Sequence, residues 1–135
     1  MESHARSTPV SKKRLWAGGV ISALPVLFLV FDSVIHIMNI APVEVAFAEL
    51  GYRAGLARPL GIIELCCVVL YVIPRTSALG AILLTGYLGG AVATNLRAGL
   101  SLFGHVLFPI YVAVMLWGGL LLRDDRLQEV IPFSS

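Results

Sequence analysis

Apolar runs alternate with short polar links along this chain, and the end of the first run is unusual. Leu15 to Phe31 are seventeen residues without a charge, yet they lead straight into "DSVIHIMN". That places Asp32, His36 and Asn39 at i, i+4 and i+7, on one face of a helix. Crossing roughly 30 Å of hydrocarbon takes about 20 mostly apolar residues. Four segments fit: Leu15 to Ile40, Pro59 to Ile73, Ser77 to Leu96 and Leu102 to Leu122. The second is the shortest and carries Glu64, and the third holds no charge. "RDDRLQEV", after the fourth, predicts a short interfacial helix.

The chain thus divides into a disordered basic segment (residues 1–14), a four-helix transmembrane domain (15–122) and a polar interfacial tail (123–135). Met1 to Val10 carry the clearest disorder signature. "KKR" and "AFA" imitate the n-region and cleavage site of a signal peptide. The apolar run is too long for that role and has Asp32 and His36 inside it, so the first span is expected to be retained.

Composition agrees. Hydrophobic residues make up 58% of the chain and charged residues 13%, against about 45–50% and about 25% in a soluble domain. No basic stripe interleaved with aromatics points to nucleic acid. Cys66 and Cys67 are adjacent, which suits neither a disulfide framework nor a zinc site, so both read as small buried filler.

Charge sets the orientation. Arg6, Lys12, Lys13, Arg14, Arg75, Arg123 and Arg126 lie on one side of a four-span topology, and Arg53, Arg58 and Arg97 on the other. Lys/Arg-rich short loops stay in the cytoplasm, so both termini are expected there and the link from Ile40 to Arg58 outside. Glu44 and Glu49 on that link read as solvated. The link "PRTS" is short enough to force an antiparallel hairpin. The expected architecture is all-α: an integral membrane antiparallel four-helix bundle with both termini cytoplasmic. Gly86 and Gly90, four apart, predict a small-residue face that packs closely on a neighbouring helix. Tyr71, Trp16 and Trp117 read as belt or packing aromatics.

With this topology the strongly polar residues of all four spans fall in the outer half, and the inner half holds almost none. A charge facing lipid near the bilayer centre costs at least about 2.5 kcal/mol, so such groups face one another or a cavity. Asp32, His36, Asn39, Glu64, Thr94, Asn95 and His105 are therefore expected to line a polar chamber with Tyr87 at its floor. Pro109 has no N–H, which frees the carbonyl of His105 into the same layer. The spacing of these residues imposes no metal site, and none is assigned.

Three stretches, "RPLGIIEL" from Arg58, "IPRTSALGAILLTGYLGGAVATNLRAG" from Ile73 and "LFPIYVAVMLWGGLLLRDDRLQEVIP" from Leu107, resemble the DoxX-like family of small bacterial four-helix membrane proteins. The resemblance covers about Gly51 to Pro132, and many relatives carry a histidine where this chain has Asn95. The family takes its name from a subunit associated with thiosulfate:quinone oxidoreduction. It implies a multi-pass protein of the bacterial plasma membrane and points to Glu64 and the Thr94–Asn95 pair. Two readings of function stay open. One is a chamber that binds a small lipophilic or quinone-like molecule in a redox-linked process, with a membrane or redox partner protein. The other is a noncatalytic accessory or scaffold subunit whose polar layer is structural.

Overall fold

The structure, a computed structural model, describes residues 11–131. Met1 to Val10, where disorder was expected, lie outside the described residues. Every regular element among the described residues is helical: α1 (Lys12–Met38), α2 (Ala41–Glu49), α3 (Ala57–Val72), α4 (Ser77–Arg97), a π-helical turn (Leu102–Val106), α5 (Phe108–Arg123) and α6 (Asp125–Val130).

Helix α1 starts at Lys12, three residues before the expected boundary, because the Ser11 hydroxyl caps it by accepting from the Arg14 amide. It ends at Asn39, whose left-handed backbone (φ 52°) turns the chain into α2. This helix corrects the reading of Ile40 to Arg58 as a plain loop. Pro42 near its start and Glu44 in its first turn are helix-opening signals.

Three stretches are long and apolar enough to cross a membrane: Lys12–Met38, Ser77–Arg97 and Leu102–Arg123. Helix α3 has sixteen residues, about 24 Å at 1.5 Å per residue. The outer surface is apolar where a soluble protein would be polar, with Leu27, Phe31, Ile82 and Val114 each more than half exposed. The chain is a membrane protein.

Helix α1 packs on α3 and α5, and α4 packs on the same two, so the four helices close a ring. Leu29, Val68, Tyr71, Leu84 and Leu116 fill its centre. Close approach comes from glycines other than the expected pair. A Cβ at Gly61 would collide with His36 and the Ser33 carbonyl, and one at Gly80 with the backbone of Tyr71. Gly18 and Gly119 meet the same way across α1 and α5. At Gly86 and Gly90 an added Cβ would meet nothing within 4 Å. Their side of α4 faces a cavity, not a neighbouring helix.

The end of the ring that holds both described chain ends is not free of polar chemistry either. Tyr71, read as a belt or packing aromatic, takes the packing role and is 1% exposed. Its hydroxyl donates to the Leu116 carbonyl at 2.6 Å and lies 3.0 Å from Ser22 Oγ. Arg123 stands over its ring at 5.6 Å, and Arg14 reaches Asp125 at 3.5 Å. Trp117 donates to Thr85 Oγ1 at 2.7 Å, while Trp16 is exposed. The cysteines part company: Cys67 packs in the core and Cys66 is exposed.

Candidate functional site

A cavity of about 480 Å³ lies between α1, α3, α4 and the start of α5, with α2 and its following loop against it. Most of its lining is apolar, including Phe28, Leu29, Leu60, Leu88, Phe108 and Val112. Gly86 and Gly90 contribute the absence of side chains on the α4 wall. The polar lining is concentrated in Asp32, His36, Tyr52, Glu64, Tyr87, Thr94 and Asn95.

Asp32 and His36 reach it from consecutive turns of α1. His36 Nδ1 lies 3.4 Å from Asp32 Oδ2 and 3.5 Å from Glu64 Oε2. Gly61 sets this meeting, since its missing Cβ lets α3 press against His36 and carry Glu64, nearly one turn on, beside the imidazole. Glu64 is completely buried. Tyr87 donates to Glu64 Oε2 at 3.2 Å, whereas Glu64 Oε1 and His36 Nδ1 have no hydrogen-bond partner. Two carboxylates and one imidazole thus converge with their bonding incomplete. Such a cluster can hold protons, bind a polar head group or take a cation.

Two of the expected residues stand elsewhere. Asn39 caps α1 and donates to Glu44 Oε1 at 2.7 Å, which turns its side chain toward a separate cleft. Glu44 is therefore paired as well as exposed. His105 sits in the π-helical turn, its Nδ1 2.8 Å from Ser101 Oγ, and does not line the cavity. The wider turn rotates the ring off the face that a regular helix would give it. Its carbonyl behaves as proline chemistry requires: Pro109 cannot donate to it, and Asn95 Nδ2 does so at 2.8 Å.

Sequence reasoning missed the covering residues. Phe47 on α2 packs edge-on to His36 with ring centres 5.1 Å apart, and Tyr52 stacks beside Phe47 at 5.3 Å. The Tyr52 hydroxyl lies 3.0 Å from Thr94 Oγ1. Arg97 donates to the Leu50 carbonyl and Arg58 to the Ile37 carbonyl, fastening this cover to α4 and α1 to α3. Pro42 and Glu44 were the available signal.

No curated protein and no solved structure matched the chain in comparison. The model of the DoxX-like family matches residues 20–119, which takes in α1 from its third turn through most of α5 and with them every residue of the acid–imidazole cluster. The chain belongs to the DoxX-like family.

Proposed function

We propose that this chain is a plasma-membrane protein of four antiparallel spans, α3 being the fourth crossing, with both termini in the cytoplasm. Its outer-half chamber binds a small lipophilic molecule with a polar head. The seven-to-three basic asymmetry supports the orientation. The closed ring of α1, α3, α4 and α5 supports α3 as a crossing, since its neighbours supply lateral cover for a shorter helix.

The observation that carries the binding reading is Glu64: fully buried, lining the cavity, with Oε1 unpartnered. Leaving such a group unsatisfied costs about 1–3 kcal/mol or more for a charge. A purely structural polar layer would complete its bonds, as Tyr71 does with Leu116 and Ser22. Apolar walls with a few polar groups among them suit a flat, greasy molecule with a carbonyl or hydroxyl edge, and a quinone-like ring has that shape and chemistry. In a redox-linked process, Asp32, His36 and Glu64 would hold or release the protons of that edge.

Equilibrium dialysis of a short-chain benzoquinone against detergent-purified protein tests this. Saturable binding is expected, weakened at least tenfold in Glu64→Gln, about 1.4 kcal/mol. Gln keeps the shape and helical content but not the carboxylate. Non-saturating uptake, equal in both proteins, refutes the reading.

A further inference from the structure

The same three side chains carry a second property that needs no lipophilic occupant. We propose that Asp32, His36 and Glu64 form a binding site for a divalent first-row metal ion, with its open position toward the cavity.

Geometry is the first ground. One ligand atom from each residue lies within 4.8 Å of the other two. The His36 nitrogen stands 3.4 and 3.5 Å from the two carboxylate oxygens. These separations exceed the roughly 2.7–3.2 Å of a good N–H···O bond. In a tetrahedral site with bonds of about 2.0–2.2 Å, neighbouring donor atoms stand roughly 3.3–3.6 Å apart. The two separations from His36 thus match those around a shared ion, and the two carboxylates fall within 4.8 Å of each other.

Unsatisfied bonding is the second, independent ground. Glu64 is 0% exposed and its Oε1 has no partner, and His36 Nδ1 has none either. A metal ion would engage Nδ1 and Oε2, and a water in its remaining position would donate to Oε1. Tyr87, already donating to Oε2, would orient that carboxylate as outer-shell groups commonly do.

Charge balance is the third. Burying a carboxylate costs several kcal/mol even after relaxation. Arg58 and Arg97 donate to backbone carbonyls instead. Among the described residues the cationic group paired with Asp32 or Glu64 is His36 alone, which leaves two carboxylates against at most one positive charge. A divalent ion beside a neutral imidazole balances both. Two oxygen donors and one nitrogen favour Mn²⁺ to Zn²⁺ over soft Cu⁺. Three protein ligands leave a fourth position, the pattern of a site that engages an exchangeable molecule.

Co²⁺ titrated into the chelator-treated, detergent-purified full chain tests the proposal. Uptake of one Co²⁺ per chain is expected, with the intense visible d–d bands of a tetrahedral ion, displaced by Zn²⁺. Tyr87→Phe should weaken binding about tenfold, and Asp32→Asn or Glu64→Gln more, since outer-shell losses alone cost 10–100-fold. Zn²⁺ should also raise the thermal midpoint of the unmodified chain, a readout that survives if a variant fails to fold. No stoichiometric Co²⁺ uptake, or uptake unchanged in a folded Asp32→Asn, overturns the site. Benzoquinone dialysis on the chelated protein keeps the two proposals apart, because either result can fail while the other holds.

Discussion

Asn95 Nδ2 donates to the carbonyl of His105 at 2.8 Å, joining α4 to the π-helical turn at the one carbonyl that Pro109 cannot serve. The side chain replaces a missing main-chain donor. Asn95→Leu should therefore destabilise the chain by about 0.5–1.5 kcal/mol, the net worth of one hydrogen bond. The loss should be local, seen as faster amide exchange over Leu102 to Leu107. Unchanged exchange there would mean that the carbonyl has another donor.

The glycines of α4 should behave in two ways. Gly80→Ala puts a methyl into the backbone of Tyr71 and is expected to cost about 1–3 kcal/mol in detergent unfolding. Gly90→Leu enters open space, so its thermal midpoint should stay close to that of the unmodified chain while benzoquinone binding falls with the lost volume. A collapse of Gly90→Leu would show that α4 is gripped on that side.

Tyr71→Phe removes a hydroxyl that bonds Leu116 and lies within bonding range of Ser22. The expected cost is about 0.6–2 kcal/mol, typical of a hydrogen bond between membrane helices. Reversible unfolding in detergent measures it, and a silent substitution would mean that water takes the place of the Tyr71 hydroxyl between Ser22 and Leu116.

Topology has a direct check. A reporter fused after Ser135 should read the cytoplasm, and one inserted at Gly55, between α2 and α3, should read the exterior. The opposite pattern would put the cavity on the cytoplasmic side.

Much of the candidate site was legible for one physical reason. Asp32, His36 and Glu64 are too costly to leave in lipid, so a helical face plus that cost was enough to bring them together. The His105 carbonyl was legible because a missing N–H leaves a definite vacancy in the ladder. The His105 ring was not, since one π-helical turn changes the facing of a side chain without leaving a mark in hydropathy. Gly86 and Gly90 misled because spacing says where a Cβ is missing but not what stands opposite. Helix α2 hid because it is short, and its apolar residues are not sorted to one side. With it went Phe47, and Tyr52 just beyond it, the cover of the cavity.

The Tyr71 hydroxyl also bears on how the chain is made. Its partners come from the first helix, Ser22, and the last, Leu116. A ribosome delivers Ser22 before Tyr71 but Leu116 some 45 residues later. Until then the phenol lacks that acceptor, in a setting where unpaired polar groups are costly. Arrival of α5 supplies the missing carbonyl and brings Gly119 against Gly18 and Ser22. The hydroxyl on α3 thus gains its full set of partners only once the first and last helices of the ring are both in place.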